Sequence, residues 1–315
     1  MNRPSITGDA WLNSPEITEE TLSGKVVLVD FWTYSCVNCL RTIPHLQKLW
    51  ERYKDKGLII IGVHTPEFAF EKDPDNVALA IERLGVAWPV VLDNDRTNWE
   101  AFANRYWPAK YLTDTKGNII YTHFGEGAYE ETEAAIVAAL GIAGKEGADT
   151  QEEIAPHEHG AVCFPATPEL YCGYYRGDIV NELHYAEDQE DDYAFEGELP
   201  EDRMALRGKF FAAAEYVEAR GDDAEILLRF KGTEVNLVLC PSSDEETSVY
   251  VTLDGDELPR DTRGADVDED GLVQIRECKM YRLFKSDIQH DALLSVKVMN
   301  GAPRAYAFTF SGCTE

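Results

Sequence analysis

The stretch FWTYSCVNCLRTIP, residues 31–44, places two cysteines three positions apart, directly after a run of apolar residues. Cys36 and Cys39 could be half of a metal site, a structural pair or a working dithiol. A structural zinc site usually needs four ligands, often two CxxC pairs or one CxxC with paired histidines. The sequence has no second CxxC, and its one close histidine pair, His157 and His159, falls in a predicted linker. The sequence therefore predicts no metal site here.

The residues around the cysteines predict a strand followed by a helix. Residues 25–32, KVVLVDFW, are almost all apolar, as in a strand buried on both faces. A helical period follows from about residue 37 to residue 56. Cys36 then lies at a helix N-terminus, where the dipole and free N–H groups stabilise a thiolate. Cys39, one turn later, can resolve a mixed disulfide, so the pair is predicted to be a working dithiol.

The rest of the first half alternates strand and helix signals. The patterns predict a strand at 57–64, a short strand and turn at 88–95, helices at 74–85, 97–106 and 129–140, and a hairpin at 109–125. Strands that are spaced by helices and end in a hairpin predict an α/β domain with a mixed sheet.

The second half has a different pattern. Residues 141–160 are rich in Gly, Ala and acidic residues without an apolar period, which is typical of a linker. Short β-type runs then recur, which predicts an all-β sandwich or jelly roll. These runs are 209–219, 225–230, 234–240, 248–255, 272–278, 293–298 and 305–310. We expect a redox domain at 1–143, a linker at 144–162 and a β-sandwich at 163–315.

The net charge of −29 is unevenly distributed. Residues 1–145 carry 14 Lys/Arg against 20 Asp/Glu, and residues 146–315 carry 15 against 38. Since nucleic acid is bound mainly through Lys and Arg, no nucleic-acid partner is expected. No apolar run reaches membrane-spanning length, and the first residues, MNRPSITGDAWLNS, lack the layout of a signal peptide. The compartment stays open.

Five further cysteines are scattered through the second half, at Cys163, Cys172, Cys240, Cys278 and Cys313. They do not resemble the framework of a disulfide-rich secreted domain. For Cys163 and Cys172 we expect buried free thiols, with a local Cys163–Cys172 disulfide as the alternative.

Two weaker patterns in the second half each allow two interpretations. Residues 266–277, DVDEDGLVQIRE, fit a calcium-loop pattern, but their flanks predict a turn and a strand where an EF-hand has helices. We favour a solvated hairpin loop. Aromatic residues of this half could form a sugar-binding face or the core of the sandwich. They are Tyr171, Tyr174, Tyr175, Tyr185, Tyr193 and Phe195.

The segment LVDFWTYSCVNC resembles the active site of thioredoxin-like proteins. The resemblance implies that Asp30 is a buried acid that helps proton transfer to and from Cys39. No lysine occurs in LIIIGVH, residues 58–64, where thioredoxins supply the charge partner of this acid. Residues 105–112, RYWPAKYL, resemble the segment that carries the family's cis-proline. That implies a cis Pro108 beside the dithiol, with the bulky Trp107 narrowing the substrate groove.

The family resemblance extends to further parts of the site and of the chain. Pro44 matches the proline inside the family's active-site helix, and Trp32, Tyr34 and Asn38 are expected to shape the site. The segments IGVHTPEFAFEKDPDNV, NRYWPAKYL and FGEGAYEETE resemble the soluble C-terminal part of DipZ-type proteins. TPELYCGYYRG, ALRGKF and YAFTF resemble the β-sandwich of those proteins, which is similar to a carbohydrate-binding module.

This resemblance implies a thiol–disulfide oxidoreductase that reduces protein disulfides and needs no bound cofactor. It implies an upstream thiol reductant, such as a membrane electron carrier, and a glycan as candidate ligand of the sandwich. DipZ-type proteins work on the extracytoplasmic side of the membrane.

Two rival functions stay open. Thr33 and Cys36 fit part of the peroxidase motif PxxxTxxC, although Val29 stands where the motif has proline. Arg41, one turn past Cys36, could bias a thiolate or simply be solvated. The other rival is a glycan- or protein-binding protein whose thioredoxin-like domain is not catalytic.

Overall fold

The computed structural model describes residues 2–8, 10–142, 163–182, 184–243 and 245–313. The chain divides into two compact units, Met1–Glu153 and Ile154–Glu315. The predicted linker at 144–162 lies outside the described residues, so the domain boundaries at 143 and 163 stay predictions.

The first unit is an α/β domain with a six-stranded mixed sheet, as predicted. Its strands are β1 (Trp11–Leu12), β2 (Val26–Trp32), β3 (Leu58–His64), β4 (Val90–Leu92), β5 (Ala109–Thr113) and β6 (Ile119–Phe124). Its helices are α1 (Glu19–Leu22), α2 (Val37–Tyr53), α3 (Pro74–Leu84), α4 (Thr97–Ala101) and α5 (Tyr129–Leu140), with short 3₁₀ turns at Lys54–Lys56 and Ala69–Lys72. The strand order is β1-β4-β3-β2-β5-β6.

Strand β2 lies in the middle of this sheet and is buried along its whole length. It runs parallel to β3 and antiparallel to β5. Side chains at its even positions, including Leu28 and Trp32, pack in one core with residues of α2 and α3. Those at odd positions, including Val29 and Phe31, pack in a second core on the opposite face. A strand covered on both faces accounts for the continuous apolar run.

Helix α2 begins directly after Cys36, which is its N-cap. Its buried face includes Cys39, Ile43, Leu46 and Leu49, at the spacing that predicted it. Pro44 lies inside the helix on its exposed side. The dithiol is therefore held between the end of a fully buried strand and a helix anchored in the core.

The prediction of a helix over residues 97–106 was too long. Helix α4 ends at Ala101, and Ala103 has a positive φ of 50°. The side chain of Asn104 then donates to the carbonyl of Tyr106 at 3.0 Å. This local turn ends the helical period and leads the chain into β5. The short strand and turn predicted at 88–95 are confirmed, with the strand at Val90–Leu92 and the turn directly after it.

The second unit is rich in antiparallel strands, consistent with the predicted β-sandwich. Its strands are β7 (Leu170–Tyr171), β8 (Gln189–Tyr193), β9 (Arg203–Ala212), β10 (Val217–Ala219), β11 (Glu225–Cys240), β12 (Ser248–Leu253), β13 (Asp256–Glu257), β14 (Leu272–Gln274), β15 (Lys279–Asn300) and β16 (Arg304–Ser311). The first half of β11 pairs with β9 and its second half with β16, while β15 pairs with it throughout. Register shifts at Gly232/Glu234 interrupt the β11–β15 ladder. Strands that change sheets at such irregularities form the corners of sandwiches.

The long strands correct two sequence expectations. Residues 225–230 and 234–240 are one strand, β11, and residues 293–298 are the end of the 22-residue β15. The run at 209–219 is not one strand, because residues after Ala212 turn back into β10. The strand expected at 272–278 ends at Gln274.

The expectation of a buried free thiol is confirmed for Cys172 and wrong for Cys163. Cys163 is bonded to Cys313 and Cys240 to Cys278, while only Cys172 of the five cysteines in the second unit is free and buried. The proposed Cys163–Cys172 disulfide was wrong. The bonded pairs are 150 and 38 residues apart in sequence. Their proximity is created by strand pairing, which spacing in the sequence does not reveal.

The acidic loop at 266–277 lacks the flanks of an EF-hand. A 3₁₀ turn at Arg260–Thr262 precedes it and strand β14 lies within it. The carboxylate of Asp266 pairs with Lys279 Nζ at 2.8 Å and accepts the N–H of Arg282. The carboxylate of Asp266, which would be the first calcium ligand, is therefore already paired with a lysine. Among the described residues, no helix is both long and apolar enough to cross a membrane.

Candidate active site

The two cysteines of CVNC form a free dithiol at the start of α2. Cys36 is partly exposed, whereas Cys39 is only 1% exposed. The sulfur of Cys36 accepts the backbone N–H of Cys39 at 3.3 Å. The sulfur of Cys36 is therefore accessible to a partner from solution, whereas the sulfur of Cys39 is covered by protein.

Burial raises the pKa of the Cys39 thiol well above its ordinary value. The hydrogen bond to Cys36 and the negative charges of Cys36 and Asp30 act in the same direction, while a backbone hydrogen bond from Thr33 opposes them. Cys39 is therefore held as a thiol until something nearby accepts its proton.

Asp30 is the buried acid that the resemblance implied, and it has a cation partner that the sequence analysis did not find. Its Oδ1 lies 3.4 Å from Nζ of Lys110, and both side chains are almost fully buried. Asp30 on β2 is the direct cross-strand neighbour of Lys110 on β5. Strand β3, where thioredoxins supply this partner, has no lysine. A lysine inside the apolar strand AKYLT was the available signal, since a buried lysine needs a partner.

Burial raises the pKa of Asp30, and the charge of Lys110 opposes that effect without cancelling it. A carboxylate with a raised pKa is a better proton acceptor than an ordinary aspartate. The negative charge of Asp30 also raises the pKa of Cys39, so the ionisation of the two groups is linked.

The peptide bond between Trp107 and Pro108 is cis, the geometry that the resemblance implied. Trp107 is partly buried and its indole N–H donates to the carbonyl of Thr65 at 3.2 Å. Its ring packs on Trp99 at 4.3 Å, and the guanidinium of Arg96 lies over both rings at 5.1 Å. The loop before β5 is therefore held by three aromatic and cationic contacts.

The other residues expected to shape the site have different surroundings. Trp32 is buried, with its ring edge-on to His64 at 5.3 Å. Tyr34 is also buried and stacks on His64 at 5.5 Å. Asn38 is exposed in the first turn of α2. Only Asn38 of these three presents its side chain to solvent, so Trp32 and Tyr34 can act on the dithiol only from within the core.

Two buried titratable residues next to the site were missed from the sequence. His64, the last residue of β3, is fully buried, and burial lowers its pKa to about 3, so it is neutral at physiological pH. Glu71 is also fully buried and accepts the hydroxyls of Thr33 and Ser35 at 2.5 and 2.6 Å. His64 could have been noticed as the end of a buried strand. Glu71 gave no signal, because an acid in a polar loop resembles a solvated one.

The side chains of Thr33 and Arg41, the two residues considered for a peroxidase site, both have partners within the protein. The hydroxyl of Thr33 donates to Glu71, and Val29, where the motif has proline, lies in the middle of β2. Arg41 pairs with Glu126 at 3.5 Å. These contacts direct both polar groups to protein carboxylates.

Neither interpretation of the aromatic residues in the second unit holds for all of them. Tyr193 belongs to the sandwich core, while Tyr175 is 79% exposed.

Among the described residues of both units, no group of three or more His, Cys, Asp or Glu side chains could hold a metal ion.

Comparison with known proteins places this sequence in a family. Residues 5–122 match the AhpC/TSA family. The chain is 34% identical over 126 residues to the thiol-disulfide oxidoreductase YkuV of Bacillus subtilis, covering 82% of that protein. The chain belongs to the thioredoxin-like thiol–disulfide oxidoreductases. The thiol-disulfide oxidoreductase ResA of Halalkalibacterium halodurans is 31% identical over 116 residues, or 62% of its length and 36% of this chain.

A longer relative extends the likeness into the second unit of this oxidoreductase. Protein DipZ of Mycobacterium tuberculosis is 40% identical over 246 residues, which are 74% of this chain and 34% of DipZ. The chain thus spans about a third of the length of that relative. Residues 167–311 match the family described as thioredoxin like C-terminal domain. Both units therefore have counterparts in DipZ, as the resemblance implied.

Proposed function

We propose that this chain reduces disulfides in other proteins with the Cys36–Cys39 dithiol. The observation that carries the proposal is the asymmetry of the pair: Cys36 is partly exposed at the N-cap of α2, and Cys39 is buried behind it. An accessible thiol at a helix N-terminus is suited to attack, and a buried neighbour is suited to resolve the product.

The reaction has two exchange steps. The thiolate of Cys36 attacks a substrate disulfide, so that a Cys36–substrate bond forms and one substrate thiolate leaves. Cys39 then loses its proton and attacks the sulfur of Cys36, which forms the Cys36–Cys39 disulfide and releases the second substrate thiolate. Two electrons pass from the dithiol to the substrate, and both substrate thiolates are reprotonated. Asp30 is the proposed acceptor of the Cys39 proton.

The direction of electron flow is supported by the charges that act on Cys39. Those of Cys36 and Asp30 are negative and disfavour a thiolate, while the buried Lys110 is paired with Asp30. A dithiol becomes a strong oxidant when its reduced form is stabilised. The described surroundings of Cys39 provide no such stabilisation through its thiolate, which agrees with a donor of electrons.

The proposed partners are protein disulfides and an upstream thiol reductant, such as a membrane electron carrier. The second unit contains two disulfides, and disulfides persist mainly in oxidising compartments. In such a compartment the dithiol needs a dedicated supply of electrons after each turnover. For the β-sandwich we propose recruitment of a protein partner or a glycan.

The reduction potential of Cys36–Cys39 tests the proposal most directly. The protein would be equilibrated in graded thiol buffers, its free thiols trapped, and the fraction oxidised measured by mass spectrometry. We expect a value near that of thioredoxin, about −270 mV. A value near about −120 mV would instead indicate a disulfide-forming oxidant.

Two variants make this measurement specific to the dithiol. Cys36→Ser should abolish exchange, and Cys39→Ser should trap a mixed disulfide on Cys36. Absence of exchange in the unaltered protein would refute the catalytic proposal and favour a binding protein. Rapid peroxide consumption that depends on Cys36, without reduction of protein disulfides, would favour the peroxidase.

A further inference from the structure

We propose that Arg96 is a specificity-determining residue, which binds a carboxylate of the substrate protein beside the disulfide that Cys36 attacks. The inference rests on the proposed function and deepens it, because it names a chemical feature of the preferred substrates. That feature is an acidic side chain next to the substrate cysteine.

The guanidinium of Arg96 is held over two indole rings. It lies 5.1 Å from the ring centroid of Trp99 and 5.1 Å from that of Trp107, within the range of cation–π attraction. Its Nη2 also donates to the carbonyl of Pro66 at 3.4 Å. The backbone of Arg96 is left-handed, with a φ of 59°, which is uncommon for a residue other than glycine. These contacts fix the position of a partly exposed cation.

The two indole rings, here called the indole platform, are anchored in turn. Trp99 is buried, and its backbone N–H donates to Oδ2 of Asp93 at 3.0 Å. The same oxygen accepts the hydroxyl of Thr65 at 2.9 Å. The carbonyl of Thr65 accepts the indole N–H of Trp107 at 3.2 Å, and the two rings pack with their centroids 4.3 Å apart. Arg96 therefore lies on a support that is itself hydrogen-bonded to the core.

Hydrogen bonds also connect the indole platform to the strand that leads to the dithiol. The backbone N–H of Thr65 donates to the carbonyl of Trp32 at 3.1 Å, and Trp32 ends β2 four residues before Cys36. Trp107 and Cys36 are both partly buried and pack against the same apolar cluster. Trp107 therefore belongs to the surroundings of the dithiol, and Arg96 lies directly over it. A polypeptide that presents its disulfide to Cys36 extends over this part of the surface.

The guanidinium of Arg96 has donors left for a ligand. Among the residues that the structure describes, no carboxylate forms an ion pair with it, and its side chain makes one hydrogen bond, to Pro66. Arg41 and Arg52 of the same unit are paired with Glu126 and Glu133. A guanidinium has five N–H donors in a planar fork that matches a carboxylate. Fixing this fork before binding reduces the entropy lost when a carboxylate binds.

The rest of the chain does not attract acidic partners at long range. Residues 1–145 carry 14 Lys/Arg against 20 Asp/Glu, and the whole chain has a net charge of −29. Since long-range steering follows the overall charge distribution, an acidic substrate gains nothing from it here. A preference for carboxylates therefore depends on direct contact with Arg96 and should be lost with the guanidinium.

Two matched peptide disulfides test the inference on the reduced full chain. The peptides have blocked termini, and their cysteines are flanked on both sides by Glu in one and by Gln in the other. Excess peptide oxidises the Cys36–Cys39 dithiol in a single turnover, and the remaining thiols are alkylated at successive times and counted by mass spectrometry. The measured quantity is the ratio of the rate constants for the Glu and Gln peptides. Intrinsic differences between the peptides affect this ratio equally in every variant.

We expect Arg96→Asn and Arg96→Gln to lower this ratio about fivefold at low ionic strength. Asn tolerates the left-handed backbone, and Gln keeps a long side chain over the indole platform. Added salt should reduce the difference between the unaltered protein and these variants. Lys116→Gln is the control. It removes one positive charge from the exposed turn between β5 and β6, and it should leave the ratio unchanged.

The outcomes separate this inference from the proposed function. If neither peptide oxidises the unaltered protein, the proposed function itself fails. If both peptides do, and the Arg96 variants keep the ratio of the unaltered protein, the inference is overturned while the proposed function stands. Equal slowing with both peptides would also overturn it, because Arg96 would then be merely structural. Should one Arg96 variant not fold, the other decides alone.

Discussion

At the scale of single residues, the site depends on polar groups that are held away from water. Asp30, His64, Glu71 and Lys110 are each buried beside or beneath the CVNC motif. Burying such groups costs free energy unless they are paired or neutral. The molecule pairs Asp30 with Lys110, saturates Glu71 with donors and keeps His64 neutral, so each residue can be tested by removing its particular compensation.

Removing one partner of the Asp30–Lys110 pair should lower the free energy of unfolding more than replacing both residues does. Lys110→Met leaves the Asp30 carboxylate buried without its cation, and we expect a loss of about 3–5 kcal/mol in the free energy of unfolding. The double variant Asp30→Asn/Lys110→Met removes both charges and should recover much of that loss. Denaturant titrations followed by tryptophan fluorescence provide both values. Equal destabilisation of the single and double variants would show that the pair makes no electrostatic contribution.

His64 should make stability depend on pH in the acid range. Its pKa falls from 6.5 to about 3 on burial, so the unfolded chain takes up a proton at a higher pH than the folded one. Its contribution to stability is present above about pH 6.5 and is lost as the pH falls from there toward 3, at ~1.4 kcal/mol per pKa unit. His64→Phe, which keeps an aromatic ring against Tyr34, should flatten this loss in denaturant titrations between pH 7 and pH 4. His123→Phe on β6 is the control, and an identical acid loss in both variants would contradict the prediction.

At the scale of elements, strand β3 has to pass closely beneath the site. A Cβ at Gly62 would lie 2.9 Å from Nε1 of Trp32 and 3.2 Å from that of Trp88. Two indole rings therefore leave room only for glycine at this position of β3. One of them belongs to Trp32, which lies two residues after Asp30 on β2. The backbone of β3 and the aromatic side chain of β2 are fitted to each other.

Gly62→Ala should therefore disturb both packing and exchange. Overpacking of this kind typically costs about 1–3 kcal/mol, and here the nearest atom to move belongs to Trp32. Ile61→Val, on the opposite face of the same strand, is a matched control that should cost about 1 kcal/mol. Unfolding titrations and the rate of reaction of Cys36 would be measured for both. We expect a slower reaction only for Gly62→Ala. Equal rates in the two variants would show that Trp32 does not influence the reaction of Cys36.

At the scale of the whole molecule, the two units are stabilised by different means. All six tryptophans lie between residues 11 and 107, and both disulfides lie between residues 163 and 313. The first unit depends on its two apolar cores and on buried polar pairs. The second adds covalent links that close loops of 150 and 38 residues. Tryptophan fluorescence therefore reports on the first unit alone.

Removing the disulfides should destabilise only the second unit. A chain-entropy estimate gives about 5 kcal/mol for the longer loop and about 4 kcal/mol for the shorter one. Cys163→Ser/Cys313→Ser and Cys240→Ser/Cys278→Ser should lower its melting temperature, measured by far-UV circular dichroism. The tryptophan transition should stay where it was. A parallel fall in both transitions would mean that the units do not unfold independently.

The sequence by itself determined the features that are encoded over a few neighbouring residues. The apolar run before CVNC, the helical period after it and the change to short β runs predicted an α/β domain followed by a strand-rich domain, and the resemblance of LVDFWTYSCVNC to thioredoxin-like active sites implied the fold of the first. Asp30 and Pro108 were recognised because they stand at fixed positions in short segments. Strand and helix periodicity is local, so it survives in the sequence without knowledge of the rest of the chain.

Only the tertiary structure decided which distant residues meet. Lys110 reaches Asp30 because β5 pairs with β2, and Glu71 reaches Thr33 because the turn after β3 folds back onto the turn after β2. The disulfide partners are likewise chosen by strand pairing, up to 150 residues apart. Burial and charge act through space, so the ionisation of Asp30, His64 and Glu71 depends on contacts that are not adjacent in the chain.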